Sequence, residues 1–292
     1  MGQTPRVRFG AHLPIAGFSQ LPEGTAIAEY AEAAEALGFT TICANDHLVF
    51  SVPWVDGLIA LGVAAGRTSR IRLMTTAALL AVRGAGPLGS ALAALQHLSG
   101  GRLTAAVTPG STRTDYEAVE RDFDTRWSRF DQEIPRLREF LDRALGDAAP
   151  PIWIASWGSR AGLRRVARFG AGWLASAYHG TPEHISDCRL YLRDRLVAAG
   201  KDPARFPTAL ATMYLYITED RTEVSSLRDL VRSPASTSAE LRDRLLIGTP
   251  DECVGRLRRL EAAGIGEVFV WPLRDEIAQL GRFAEEVAGR LG

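Results

Sequence analysis

Apolar positions along this chain alternate between helical and strand-like spacing. Gly38 follows one helical stretch and is placed to end it in the left-handed conformation. The run 39–44 that comes next is short and apolar, as expected of a strand covered on both faces. The helical spacing itself predicts a helix with one apolar face, because three- or four-residue intervals separate Ile27, Tyr30, Ala31, Ala34 and Leu37.

The same alternation continues to the carboxyl end and predicts eight strand–helix units. The strands are expected at Val7–Leu13, Thr40–Ala44, Arg70–Thr76, Arg102–Thr108, Pro151–Ala155, Gly172–Ser176, Thr208–Ile217 and Glu267–Trp271. Such alternation implies a parallel sheet, and eight units in 292 residues fit an α/β fold of the closed (β/α)8 TIM barrel type, as one domain spanning 1–292. A doubly wound open sheet is the alternative, but the first strand leads into Pro14–Phe18 and not into a GxGxxG turn.

Helix boundaries and irregular segments complete this prediction. Thr249 begins a capping box with proline at the first helical position, and Thr181-Pro182 opens another helix in the same way. The least regular segments, Ser111–Asp124 and Arg232–Ser238, are expected to be mobile loops on the rim of the barrel.

Composition and charge narrow the class of function. The chain is 46% hydrophobic and has 34 basic and 34 acidic residues, so no excess charge points to nucleic acid or an anionic membrane. No apolar run reaches the ~20 residues of a membrane span, and the first eight residues lack a secretory core, which predicts a cytoplasmic protein. The three scattered residues Cys43, Cys188 and Cys253 suit reduced thiols and argue against a CxxC-type zinc site.

Polar residues at the predicted strand ends are the candidates for chemistry, since parallel barrels place their sites there. The second strand delivers Asn45, Asp46 and His47, and His12 ends the first. Only Asp46 is a clear strand-end carboxylate, which argues against a glycosidase, and the absence of further acids or a His-x-His pair argues against a metal. Neutral donors and aromatic side chains instead suit a large planar, anionic ligand.

The segment Ser156–Arg160 joins a strand to a helix through small residues. The first N–H groups of that helix have no intrahelical partner and can hold a phosphate. Ser159 can alternatively cap the helix by itself. Both interpretations use the same helix start.

Five stretches resemble the bacterial luciferase-like family of flavin-dependent oxidoreductases. They are residues 34–48, 68–73, 98–103, 150–174 and 248–268, in the family's order. The resemblance implies a (β/α)8 barrel that binds FMN or the 5-deazaflavin coenzyme F420 at the carboxyl ends of its strands. It further implies a small-molecule substrate, a flavin reductase or NAD(P)H as electron source, and a homodimer. Lys201 is the single lysine among 34 basic residues, which indicates GC-rich coding and a bacterial source.

The resemblance also carries roles onto individual residues. His47 matches a histidine used as an acid or base, and Asp46 is expected to set its tautomer. Thr76-Ala77 falls where the family often has a cis peptide beneath the flavin. The cofactor-binding residues are expected to be His12, Asn45, Thr76, Ala77, Trp157, Gly158, Ser159, Ser176, Ala177 and Tyr178.

Three departures from the family pattern bear on function. Ser111 or a neighbour replaces the glutamate of the sugar-phosphate dehydrogenases, which argues against that substrate. Ser156-Trp157 stands where the phosphate loop usually has two glycines, and the region Asp131–Pro150 is shorter than usual. The sequence therefore predicts an oxidoreductase that transfers hydride or inserts oxygen, with a flavin-binding barrel that has lost catalytic turnover as the alternative.

Overall fold

Eight parallel strands close into a barrel with helices around it. The protein is represented by a computed structural model that describes residues 7–16, 21–231 and 244–291. In chain order the strands are β1 Arg8–His12, β2 Thr41–Ala44, β3 Arg72–Leu79, β4 Leu103–Thr108, β5 Ile152–Ala155, β6 Trp173–Ser176, β7 Thr208–Ile217, β8 Leu246–Gly248 and β9 Glu267–Pro272.

The strand order confirms the predicted barrel. Strands β1 to β7 pair in sequence, β7 pairs with β9, and β9 pairs with β1 to close the ring. All eight predicted strands are present, and β9 is the eighth barrel strand. Strand β8 lies outside the ring, where Leu246 pairs with Leu215 on the far part of β7. Three residues are too few to show a strand period, so the sequence did not indicate β8.

Helices connect the strands and cover the outside of the barrel. They are α1 Gly24–Ala36, α2 Gly57–Arg67, α3 Leu80–Arg83, α4 Ala85–Leu98, α5 Arg113–Glu117, α6 Arg126–Leu145, α7 Arg160–Phe169, α8 Pro182–Ala198, α9 Arg221–Leu230, α10 Pro250–Ala262 and α11 Glu276–Arg282. The described ranges also contain a π turn at Phe283–Val287 and short 3-10 turns at Gly146–Ala148 and Ala288–Arg290. No helix within the described ranges is long and apolar enough to cross a membrane.

Several helix starts follow the sequence signals. The capping box predicted at Thr249 is present, with the hydroxyl accepting from the N–H of Glu252 and the Glu252 carboxylate accepting in return. Thr181 caps α8, and Asp56 caps α2 by accepting from two backbone N–H groups. The predicted loop Ser111–Asp124 contains α5, so this prediction was only partly right. The predicted loop Arg232–Ser238 lies outside the described residues.

The amino-terminal opening of the barrel is closed by one buried carboxylate. Glu267 at the start of β9 is 3% exposed and accepts hydrogen bonds from the hydroxyls of Thr40 and Thr41 at 2.7 and 2.6 Å. Arg72 reaches the same carboxylate at 2.9 Å, and Arg8 approaches it at 3.5 Å. These contacts join three neighbouring strands at the end opposite to the strand ends that parallel barrels use for chemistry.

Candidate active site

A cavity of about 520 Å³ opens at the carboxyl ends of the strands. Its volume lies within the range of roughly 300–1,000 Å³ that small-molecule and cofactor sites occupy. The peptide bond between Thr76 and Ala77, which lies in its wall, is cis, as the resemblance implies. Nine of the residues predicted for the site line this cavity: Asn45, Asp46, His47, Thr76, Ala77, Trp157, Ser159, Ser176 and Tyr178.

His47 is held in the cavity wall by a carboxylate that the sequence did not indicate. Its Nδ1 lies 2.8 Å from Oδ2 of Asp115, which is fully buried in α5. The other oxygen of Asp115 accepts from the backbone N–H groups of Leu48 and Val49, at 2.7 and 3.0 Å. The carboxylate is thus placed to accept the Nδ1 proton, which leaves Nε2 as the unprotonated nitrogen of the neutral ring. Among the described residues, Nε2 has no hydrogen-bond partner.

Asp46 does not set the tautomer of His47, and the sequence-based expectation was wrong on this point. Its Oδ2 accepts from Nε of Arg83 at 2.8 Å and from the N–H of Leu79 at 2.9 Å, and its Oδ1 accepts from Nη2 of Arg83 at 2.6 Å. Although burial opposes the charged guanidinium, the hydrogen bonds that it donates to Asp46 and Asp56 raise the pKa of Arg83. Asp46 therefore forms an ion pair with Arg83 in the cavity wall.

His12 lies behind the cavity and not in its lining. Its ring is fully buried and stacks on Trp271 at a centroid distance of 3.6 Å. Nε2 accepts from the N–H of Asn45 at 3.0 Å, so Nδ1 carries the proton and donates to the carbonyl of Leu13. Burial lowers the pKa of His12 to about 4. His12 is thus a neutral support that positions the backbone of Asn45, whose side chain accepts from Thr76.

The predicted phosphate loop has a constrained backbone. Gly158 has a φ of +96°, and a Cβ there would lie 2.4 Å from Nε2 of His184 and 2.5 Å from the sulfur of Cys188. The position therefore requires glycine. Ser159 caps α7 by accepting from the N–H of Gly162 at 3.1 Å, so the capping interpretation is confirmed.

Trp157 and its surroundings form the rim beside this loop. The indole is 49% exposed and stacks on His179 at a centroid distance of 4.3 Å. Burial, with the nearby Arg244, lowers the pKa of His179. The two side chains come from consecutive strand–helix loops, so the stack ties these loops together.

The loop after β6 contributes a phenol to the cavity. The hydroxyl of Tyr178 donates to that of Tyr214 at 3.1 Å, and burial raises the pKa of Tyr178. Ala177 is fully buried, with its N–H donating to the carbonyl of Ala211. Neither Ala177 nor Gly158 lines the cavity, so both support the loops from behind.

Sequence reasoning missed several residues of the lining, and three of them lie on its rim. Phe123 lies in the connection between β4 and α6, and Arg126 and Trp127 are the first two residues of α6. The guanidinium of Arg126 lies over the ring of Phe123 at 3.9 Å and is the one arginine in the described part of the lining. Their position at the start of a long helix after a strand could have indicated a place on the rim.

Comparisons with known proteins agree with this architecture. The sequence profile of the luciferase-like monooxygenases matches residues 7–236. No protein of curated function matches the chain significantly in sequence.

Solved structures share the fold over nearly the whole chain. Monooxygenase RslO1 from Streptomyces bottropensis superposes with a TM-score of 0.84 at 22% identity, covering 98% of this chain and 100% of its own. An F420-dependent secondary alcohol dehydrogenase in complex with an F420-acetone adduct gives 0.82 at 16% identity, covering 97% and 98%. Riboflavin lyase RcaE, solved with modified FMN and riboflavin, gives 0.77 at 14% identity, covering 98% and 91%.

The profile covers well over half of the residues, and the closed barrel with its strand-end cavity agrees with it. The chain belongs to the luciferase-like monooxygenase family.

Proposed function

We propose that this protein is an oxidoreductase that uses a flavin-type cofactor, FMN or F420, on a small organic substrate. The observation that carries the proposal is the His47–Asp115 pair in the wall of a strand-end cavity. A carboxylate on one ring nitrogen and an accessible second nitrogen form the arrangement that proton transfer near neutral pH requires.

The residues present fit a planar ring with an anionic tail. Small side chains form part of the wall and leave room for a flat ring system, namely Ala77, Ala155, Ala175 and Ala211. At one side the start of α7 offers backbone N–H groups beside Ser156 and Ser159, and helix starts favour phosphates. Arg126 adds a positive charge to the lining. Trp157 stands where the usual loop has a glycine, and its side chain lines the cavity while remaining about half exposed.

The cofactor, when bound, supplies the hydride or oxygen chemistry, and the protein supplies position and proton transfer. His47 takes a proton at Nε2 from a substrate hydroxyl, or returns one when the reaction runs in reverse. The imidazolium formed in this step is stabilised by Asp115, whose charge is held in place by two backbone N–H groups. A base of this kind favours hydride transfer, because an alcohol that loses hydride must also lose its hydroxyl proton.

Cofactor titration and single turnover test the proposal. FMN and F420 are each titrated into the purified protein while their fluorescence is followed, and the bound cofactor is then mixed with a panel of small alcohols and carbonyl compounds. We expect micromolar or tighter binding of one ring system and bleaching of its absorbance. His47→Gln should bind the cofactor equally well but lose turnover by roughly 10²-fold or more.

Two outcomes would contradict the proposal. Unchanged turnover in His47→Gln would remove the imidazole from the reaction. Tight cofactor binding without turnover on any substrate, aerobic or anaerobic, would support the alternative of a non-catalytic flavin-binding barrel. Oxygen consumption coupled to turnover would identify oxygen insertion as the reaction.

The electron source and the assembly are further parts of the proposal. We expect NAD(P)H or a separate flavin reductase to reduce the cofactor, and a homodimer in solution. Reduction assays with and without an added reductase, and light scattering of the purified protein, test these two points.

A further inference from the structure

A second cavity of about 440 Å³ lies between the start of α8 and one face of α10. Among the described residues of its lining are three arginines, Arg244, Arg256 and Arg259, and one carboxylate, that of Glu183. Arg256 and Arg259 are three residues apart, which places them on the same face of α10. The side chain of Arg256 is braced by hydrogen bonds to the carbonyls of Leu245 and Ile247.

The chemistry of this lining selects for carboxylates and phosphates. Guanidinium groups bind both kinds of anion with paired hydrogen bonds and keep their charge at every physiological pH. The seventeen-residue helix α8 begins at the same cavity, with Thr181 as its cap, and its amino end carries partial positive charge. The cavity therefore suits a ligand with more than one anionic group.

The position of this cavity relates it to the first one. Tyr178 lines the first cavity, and its carbonyl accepts from Nη1 of Arg244 at 2.7 Å. Two residues later the chain reaches Gly180, which lines the second cavity. One short turn, residues 176–181, thus separates the two cavities. Through the stack of His179 on Trp157 this turn contacts the loop before α7, at whose start the proposed function places the cofactor phosphate.

We propose that the arginine-lined cavity binds an anionic extension of the cofactor that continues beyond its phosphate. This inference rests on the proposed function, since the ring and phosphate are taken to occupy the first cavity. FMN ends at its phosphate, whereas F420 continues into a tail of glutamyl carboxylates. The cavity consequently makes the protein selective for F420, with longer tails binding more tightly than short ones.

Equilibrium binding with ligands that differ only in the tail tests this inference. The probes are F420 with one and with several glutamates, the tail-less deazaflavin riboside, FMN, and an oligo-γ-glutamate peptide alone. The test variants are Arg259→Gln and Arg259→Glu, which remove a positive charge from the lining. Glu183→Gln removes a negative charge and should have the opposite effect on affinity. Arg258→Gln is the matched control, because Arg258 lies next along α10 and reaches instead the carbonyl of Arg290.

We expect Arg259→Gln to weaken long-tailed F420 by about threefold to fivefold, the range typical of an exposed ion pair, with charge reversal having a larger effect. Glu183→Gln should raise the affinity for long-tailed F420. Added salt should lower this affinity more steeply than it lowers the affinity for the riboside. The affinities for the riboside and for FMN should be the same in all variants. The Arg258→Gln variant should bind every probe as tightly as the wild-type protein does. Competition by the peptide at comparable concentration would support the pocket as the site of the tail.

Equal affinity of the wild-type protein for short- and long-tailed F420, or unchanged F420 binding in the Arg259→Glu variant, would overturn this inference alone. Failure of both FMN and F420 to bind would reject the proposed function and this inference with it.

Discussion

Asp115 is a fully buried carboxylate, and both of its oxygens are occupied. One oxygen accepts from the imidazole of His47 and the other from the backbone that follows His47, so the carboxylate fixes the ring and the loop together. A carboxylate with these three donors favours the tautomer of His47 that is protonated at Nδ1, which is the tautomer that the proposed reaction uses.

Replacement of this carboxylate by an amide tests its role. In Asp115→Asn the amide can turn its NH₂ group towards Nδ1, which favours the tautomer protonated at Nε2 and removes the base from the cavity. We expect kcat to fall by roughly 10²- to 10⁴-fold, as in other carboxylate–imidazole pairs, with cofactor affinity unchanged. Steady-state kinetics across pH 5–9 measures the effect. Asp115→Glu should recover part of the rate, and an unaltered pH profile in Asp115→Asn would contradict a positioning role.

His12 makes the stability of the fold depend on pH. Its ring is neutral when folded, with a pKa of about 4, but titrates near 6.5 when unfolded. The unfolded chain therefore binds more protons between these values, and stability falls as the pH falls through this window. We expect a contribution of roughly 2 kcal/mol to be lost between pH 7 and pH 5.

Urea unfolding of the wild-type protein and of His12→Gln at both pH values measures this contribution. The variant keeps polar atoms at the position but does not titrate. The stability difference between the two proteins should shrink as the pH is lowered. A constant difference would show that His12 has the same pKa in the folded and in the unfolded protein, which would contradict this prediction.

At the scale of elements, the loop between β5 and α7 depends on one glycine. Gly158→Ala forces a β-carbon against His184 and Cys188 at a positive φ. We expect a loss of roughly 1–3 kcal/mol in stability and weaker cofactor binding, because the loop must shift. Gly62→Ala in α2 is the matched control, since a β-carbon there would meet no atom of a neighbouring element within 4 Å. That variant should gain up to about 1 kcal/mol of stability. Thermal unfolding with and without cofactor compares the two.

The sequence predicted strands and helices better than it predicted the contacts within the site. Apolar periodicity located the eight barrel strands, because each strand is long enough to show a period and is covered on both faces. Short elements such as β8 and α5 carry too few residues for such a signal. The cis peptide at Thr76-Ala77 came from family resemblance and not from local pattern.

The site was harder to predict than the fold because its partners are distant in sequence. Asp115 lies 68 residues from His47, and their contact depends on how α5 folds back over the barrel. Asp46 is adjacent to His47 in sequence, yet successive side chains leave a strand end in different directions, and its carboxylate meets Arg83 instead. Proximity along the chain was therefore a poor guide to hydrogen-bond partners.

At the scale of the whole molecule, the residues that hold the strands together and the candidate site lie at opposite ends of the barrel. Glu267 joins β1, β2 and β3 at the closed end, while the cavity lies at the other end. We expect Glu267→Gln to destabilise the fold by roughly 1–3 kcal/mol, because its buried hydrogen bonds are weakened, without changing kcat of the folded enzyme. Arg143→Gln, which removes an exposed pair with Glu139, should cost at most about 0.5 kcal/mol. Urea unfolding and kinetics at 25 °C test both, and a lower kcat in Glu267→Gln would contradict the separation.

The link between Asp115 and the segment after His47 has a consequence for engineering. Chimeric enzymes made by grafting the connection after β4 from a relative would remove the carboxylate, even though the histidine itself stays untouched. The connections after β2 and β4 should therefore be exchanged as a pair, and grafts of either one alone are expected to express as folded but inactive barrels.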